Sequence, residues 1–154
     1  SVGSFYHYFK SKLDILAEVF LRADEYFRKE VLPDLTGKDT FEQILFFFRH
    51  YALFNISSSV EHAKAIYNPK ISTFSDKKRL MWVLLENIMS EGQEKGLLTR
   101  EESAEDLAEF LFTLARGVTF DWCIHEGRYD LEKKLFNYIK KVLPVLRRIN
   151  ENTL

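Results

Sequence analysis

The first sixteen residues combine basic and hydrogen-bonding side chains, and no carboxylate occurs among them before Asp14. Phe5 and Phe9 are four residues apart, so they share the face of a short helix that can be buried. The phenol, imidazole and ammonium groups that project elsewhere come from Tyr6, His7, Tyr8 and Lys10. Groups of these types bind phosphate oxygens, so the segment predicts contact with a polyanion such as DNA. An amphipathic end of a protein core is the alternative, and it accounts for the two Phe residues but not for the polar set.

A second candidate site lies on a predicted helix, residues 41–55, that is apolar around most of its circumference. Gln43 and His50, seven residues apart, form its one narrow polar stripe among the aromatic rings. Because ligand pockets are mostly apolar with a few placed polar groups, we predict an effector pocket. Its predicted residues are Gln43, Phe47, His50, Tyr51, Phe54, Trp82 and Trp122. The alternative is that each ring belongs to the core and that His50 is a satisfied or surface histidine.

Catalytic and metal chemistry finds little support in the residue pattern. Cys123 and His125 are two residues apart, but there is no second cysteine, and no histidine has a glutamate three residues before it, as a helix-bundle di-iron site requires. Gly-rich phosphate loops, nucleophile elbows and HExxH are missing from the sequence. Asp121, His125 and Glu126 resemble an acid–base cluster, but such residues more commonly cap a helix end in solvent. We therefore predict a non-enzyme without metal or cofactor.

The spacing of apolar residues predicts that these groups are carried by helices alone. Few glycines and prolines interrupt the chain, and apolar residues recur at intervals of three and four. Thr40 and Gln43 have capping-box spacing for the aromatic helix. Pro33 should end the first long helix, and Pro144 should kink or end the last. The predicted helices cover residues 11–32, 41–55, 60–67, 75–95 and 104–125, with a last helix capped by Asp130.

The composition limits the kind of protein that this chain can be. A length of 154 residues suits one domain with a real core. The net charge of −1 does not suggest a general nucleic-acid binder, so the DNA prediction rests on the opening segment alone. The apolar runs, such as residues 44–48, are far shorter than the ~20 residues of a membrane span. With one cysteine and no signal-peptide pattern, we expect a cytoplasmic protein without a membrane partner.

The last two predicted helices carry more apolar surface than one neighbour can cover. Large uncovered apolar patches usually bind a partner, so these helices predict a dimerisation surface. Its predicted residues are Leu107, Phe110, Leu111, Leu114, Val118, Leu135, Tyr138, Ile139 and Val142.

The stretch GSFYHYFKSKLDIL resembles the end of the DNA-binding unit in the TetR family of transcriptional regulators. In that family it comprises the recognition helix of a helix-turn-helix and the start of the next helix. EGQEKGLL, Gly117, Trp122 and YDLEKKLFNYIKKVLPVL resemble the family's C-terminal half, where the last two helices of each subunit form a four-helix bundle with those of the partner. The stretch 36–74 matches nothing specific, and family members differ there according to ligand.

The resemblance implies an all-α, TetR-like chain that begins at the recognition helix, because the family has two further helices before this point. Residues 1–15 would be a remnant of the DNA-binding domain, and residues 16–154 an effector-binding and dimerisation domain. The DNA-binding residues carried over from the family are Ser1, Gly3, Ser4, Tyr6, His7, Tyr8 and Lys12.

The implied function is a homodimeric, ligand-responsive regulator of transcription. Repression is the commonest mode in the family, with release from the DNA operator by a small, largely apolar or aromatic effector. Two alternatives stay open: a helical small-molecule-binding protein or enzyme domain without DNA binding, and a module that only dimerises.

Overall fold

The computed structural model describes residues 12–67 and 76–148. Within these ranges the protein consists of helices without a β-strand, apart from an isolated bridge between Leu98 and Arg147. None of the described helices is long and apolar enough to cross a membrane. The helices are α1 (Lys12–Tyr26), α2 (Thr40–Ser57), α3 (Val60–Ile66), α4 (Leu80–Glu94), α5 (Ala104–Ile124) and α6 (Leu131–Leu146).

Helix α1 does not end at Tyr26 but continues with a changed winding. A π-helical turn, Phe27–Val31, is followed by a 3₁₀ turn, Leu32–Asp34, that contains Pro33. Phe27 and Val31 are completely buried, so the wider turn aims both side chains into the core. The predicted stop at Pro33 therefore agrees with the structure, but the π turn was not predicted.

Helix α2 is the centre of the domain, as its apolar circumference predicted. Ile44, Phe47 and Ala52 are fully buried, and the helix packs mainly against α6 and α4. Its capping box is formed by Asp39 and Glu42, one residue before the predicted Thr40 and Gln43. The predicted pair is wrong because the Asp39 carboxylate accepts the Glu42 N–H while the Glu42 carboxylate accepts the Asp39 N–H, each at 2.9 Å.

Helices α5 and α6 pack against each other and against α2. They are joined by a turn in which Gly127 has a φ of +69°, and a β-carbon there would lie 2.5 Å from a Val60 methyl group. Pro144 lies inside α6, which ends two residues later at Leu146. Arg49 and Glu132 form an ion pair of 2.7 Å that links α2 to α6 on the surface.

Candidate functional site

The predicted DNA-contacting residues are mostly outside the described part of the chain. Lys12 is the first residue of α1, and only its backbone is described. The DNA interface therefore stays a prediction, and the structure adds only that α1 leads from it into the body of the domain. The residues outside the description are Ser1, Gly3, Ser4, Tyr6, His7 and Tyr8.

The polar stripe of α2 contacts the end of α1 and the segment that follows it. The Nδ1 atom of His50 lies 2.8 Å from the Tyr26 hydroxyl, and the Phe46 ring lies 4.5 Å from the imidazole. Burial lowers the pKa of His50 below its ordinary value of 6.5, and the neighbouring Arg49 adds to this effect. Gln43 donates from Nε2 to the Leu35 carbonyl at 3.0 Å. His50 thus links α2 to the end of α1, and Gln43 links it to the segment after α1.

An aromatic cluster lies where α2, α4 and α5 meet. The Trp82 and Phe112 rings are stacked, with centroids 5.2 Å apart and planes 19° apart. Tyr51 is packed beside Phe112, and its hydroxyl forms a 2.6 Å hydrogen bond with that of Tyr67. Burial raises the pKa of Tyr51 and raises that of Tyr67 well above 10, so both phenols stay neutral in the physiological range.

A cavity of about 30 Å³ opens beside this cluster. That volume accommodates about one water molecule and is far below the several hundred Å³ of a typical ligand pocket. Two donor atoms near it, Nε of Arg79 and Nε1 of Trp82, are buried without a hydrogen-bond partner among the described residues. The cavity is lined by Tyr51, Asp76, Arg79, Met81, Trp82, Phe112 and Arg116.

Arg79 connects this cavity with α1. Its Nη2 atom donates to Asp24 at 3.2 Å, and its guanidinium carbon lies 4.3 Å from the centre of the Phe20 ring. Both side chains of the ion pair are mostly buried, with 13% and 21% of their surface exposed, so the pair is better shielded than a surface ion pair. One side chain therefore contacts the cavity and two residues of α1.

The structure places only Tyr51 and Trp82 of the predicted pocket residues at this cavity. Phe47 is fully buried in the core. Phe54 lies against Tyr26, with ring centroids 5.5 Å apart, beside a separate surface groove. Trp122, also predicted as a pocket residue, does not line this cavity, and its indole donates to the Tyr129 carbonyl at 3.0 Å in the turn after α5.

Sequence reasoning missed Arg79, Met81, Phe112 and Arg116. Only a weak indication of this site is present in the sequence: Arg79 lies directly before α4 and Arg116 lies within α5, each beside a run of apolar residues. Their proximity depends on how α4 and α5 pack, which residue spacing along one helix does not reveal.

The predicted dimerisation residues divide into two sets. The first set is buried in this chain's own core and leaves little or no surface for a partner, although Val118 also lines the groove of the second set. Its members are Leu107, Leu111, Leu135 and Ile139, all without exposed surface, and Val118, at 5%.

The second set lies at the surface beside a groove of about 530 Å³ between α5 and α6. Phe110 and Tyr138 are exposed, and Leu114 and Val142 are half-buried. At the floor of the groove, a β-carbon placed on Gly117 would meet no atom within 4 Å. The groove therefore has an apolar rim and room above its central glycine.

The residues of the acid–base alternative lie near the end of α5, where the Nδ1 atom of His125 is 3.6 Å from a carboxylate oxygen of Asp121 and 2.8 Å from its carbonyl oxygen. Asp121 accepts hydrogen bonds from Lys134 at 2.9 Å and from the Tyr129 hydroxyl at 2.8 Å. The hydrogen bond from Lys134 is the main cause that lowers the pKa of Asp121. Burial raises the pKa of Tyr129 to about 12. Within residues 12–67 and 76–148 there is no group of three potential metal ligands.

Comparison with known proteins shows similarity in fold. The chain matches no family model and no curated protein sequence. It superposes on the crystal structure of the MbdR regulator from Azoarcus sp. CIB with a TM-score of 0.68 and 19% sequence identity. The match covers 96% of this chain and 83% of that one. The all-helical fold of this chain is thus similar to that of the MbdR regulator, and it agrees with the all-α fold that the sequence predicted.

Proposed function

We propose that the chain belongs to a TetR-like, DNA-binding transcriptional regulator that acts as a homodimer and responds to a small ligand. The observation that carries the proposal is the match to a regulator over 96% of the chain. The opening residues resemble a recognition helix, and this sequence resemblance is a second line of support beside the fold. The proposal includes a cytoplasmic location and no enzymatic activity.

DNA binding is assigned to Ser1, Gly3, Ser4, Tyr6, His7, Tyr8 and Lys12. Two such segments in a dimer would enter successive major grooves, ~34–36 Å apart, so the operator should be nearly palindromic. The test selects bound duplexes from a random library, using the full-length protein with whatever residues precede Ser1. Enrichment of a palindromic site supports the proposal. Ligand binding without any selected DNA sequence would instead favour a helical small-molecule-binding protein.

Lys12 provides a sharper test of the interface. Lys12→Ala in the full-length protein should weaken binding to the selected duplex and reduce the log–log salt slope by ~0.9, the value for one phosphate contact. Lys140→Ala on exposed α6 removes the same charge far from α1 and is the matched control. Equal slopes for Lys12→Ala and the wild type would remove Lys12 from the DNA interface.

Dimerisation is assigned to the groove between α5 and α6. Phe110, Gly117 and Tyr138 form an apolar, accessible surface there, and a helix of a second copy is a suitable occupant. Only surface residues can test this, because a charge at fully buried Leu135 would unfold the chain before it separated two subunits.

Ligand response is assigned to the cavity beside Trp82. A ligand changes DNA binding only if it binds one arrangement of the two DNA-binding segments better than the other. The coupling free energy between ligand binding and DNA binding is typically ~1–3 kcal/mol. Helix α1 is the suitable connection, because it starts at the DNA-binding segment and contacts Arg79 at the cavity. Release from the operator by the ligand, and hence repression, is the mode that we propose.

A further inference from the structure

We propose that the cavity beside Trp82 binds the carboxylate of an apolar effector, and that this carboxylate competes with Asp24 for Arg79. The anion site stands on the geometry of the cavity alone. Only its consequence for DNA binding rests on the proposed function.

The first argument is the type of polar atom that lacks a partner. Arg79 Nε and Trp82 Nε1 are both N–H donors, and both are buried without a partner among the described residues. Trp82 is only 4% exposed, so bulk water does not satisfy its N–H. Buried donors without acceptors are rare in native proteins, and a ligand that brings an acceptor would remove the deficit.

The second argument is charge. Two guanidinium groups, from Arg79 and Arg116, line the cavity, together with one carboxylate from Asp76. Asp76 already accepts the Lys78 backbone N–H at 3.0 Å, in the turn before α4. Asp24 neutralises Arg79 when no ligand is present, so an anionic ligand is favoured where it replaces Asp24 as the partner of that guanidinium. Arginine forks are well suited to carboxylates, which they bind through two parallel hydrogen bonds.

The third argument concerns the body of the ligand. A cavity of about 30 Å³ holds about one water-sized group, such as one carboxylate oxygen, so the rest of an effector must be accommodated by movement of the surrounding side chains. Those side chains are apolar: the stacked Trp82 and Phe112 rings and Met81. Met81 is unbranched and flexible, so it is the side chain best able to move aside. The expected effector is therefore a monocarboxylate with an apolar chain or ring.

Competition follows from the two contacts that Arg79 makes with α1. Its Nη2 atom is bonded to Asp24 at 3.2 Å, and its guanidinium covers the Phe20 ring at 4.3 Å. A carboxylate in the cavity attracts the same guanidinium from the side of Nε. Binding of the carboxylate therefore weakens the contacts that hold α1 to the body of the domain. Conversely, stronger contacts between Arg79 and α1 weaken binding of the carboxylate.

The experiment measures binding by isothermal titration to the full-length protein. The probes are hexanoate and 3-phenylpropanoate, each paired with its uncharged amide. At least one acid should bind at least ~10-fold more tightly than its amide. Equal affinity of acids and amides, or no binding of either acid, would overturn the anion site.

Three variants test the assigned contacts. Arg79→Lys keeps the positive charge but loses Nε, and Trp82→Phe keeps the ring but loses the N–H; each should weaken acid binding at least ~5-fold. Asp24→Asn removes the competing carboxylate and should tighten acid binding. Arg128→Gln, at an exposed position away from the cavity, should leave the affinity unchanged. Circular dichroism melting verifies that each variant is folded.

The outcomes separate the anion site from the regulator. Acid binding with the expected variant pattern, in a protein that selects no DNA sequence, would support the site and contradict the proposed function. Specific DNA binding with no preference for acids over amides would contradict the site and leave the regulator standing. Wild-type affinity in Asp24→Asn would refute the competition for Arg79.

Discussion

Phe110 gives the most direct test of how two copies of this chain associate. It lies on the rim of the groove between α5 and α6 and is 44% exposed. If that groove receives a partner helix, Phe110→Ser should weaken the dimer while the subunit stays folded. The subunit tolerates the change because much of the ring is already in water.

The size of the effect follows from the exposed area. An aromatic side chain presents ~200 Å² when fully exposed, so the exposed part of Phe110 is ~90 Å². At ~25 cal/mol per Å², covering that area contributes ~2 kcal/mol per copy. A symmetric interface contains the residue twice, so the substitution removes ~4 kcal/mol. The dissociation constant should rise ~10³-fold.

Phe136→Ser is the matched control. Phe136 is 36% exposed on α6, but it lies two residues from Tyr138, on the other side of the helix, and does not line the groove. Sedimentation velocity over a concentration series measures the dissociation constants. An unchanged dimer in Phe110→Ser, or an equal loss in Phe136→Ser, would refute an interface built on this groove.

Three further substitutions test the packing of the domain. Because the pKa of His50 is lowered in the folded protein, native His50 stays neutral while the unfolded chain gains a proton below pH 6.5. The contribution of this group to stability is therefore full above pH 6.5 and is lost as the pH falls towards the pKa of the folded state. His50→Gln should reduce the decline of the urea midpoint on the acid side. Gly92→Ala should lower the thermal midpoint by an overpacking cost of ~1–3 kcal/mol, because its β-carbon would lie 2.6 Å from Thr40 and 2.7 Å from Leu98; exposed Asn87→Ala on the same helix should not, and an equal midpoint for Gly92→Ala would contradict the close packing. Trp122→Phe leaves the Tyr129 carbonyl without its indole donor and should cost ~1–3 kcal/mol in urea unfolding; a wild-type midpoint would show that the hydrogen bond contributes nothing.

Local sequence determined most of the helices and the class of fold, but the helix predicted over residues 75–95 begins only at Leu80, after a turn. Periodic apolar residues, cap residues and prolines act within a few positions of one another, so they can be interpreted without knowing the tertiary structure. The opening motif and the C-terminal stretches led to a TetR-like fold, which the match to a regulator structure supports. The central position of α2 also followed, because a helix apolar on nearly every side needs neighbours all around it.

Only the tertiary structure decided which apolar residues of α5 and α6 face inward. Leu107 and Phe110 differ by three positions and look equivalent in the sequence, yet the first is fully buried and the second is 44% exposed. Periodicity identifies an apolar stripe but not the neighbour that covers it. In a wide stripe, some residues are buried in the core while others lie at the surface.

The cavity depended on tertiary structure for the same reason. Asp24 and Arg79 are 55 residues apart and meet only because α1 packs beside the start of α4. His50, the most conspicuous polar residue of the aromatic helix, instead bonds to Tyr26, since the π turn directs that end of α1 onto α2. Local residue spacing determined the helices, whereas contacts between residues far apart in sequence brought the Asp24–Arg79 ion pair close to the unpaired N–H donors of Arg79 and Trp82.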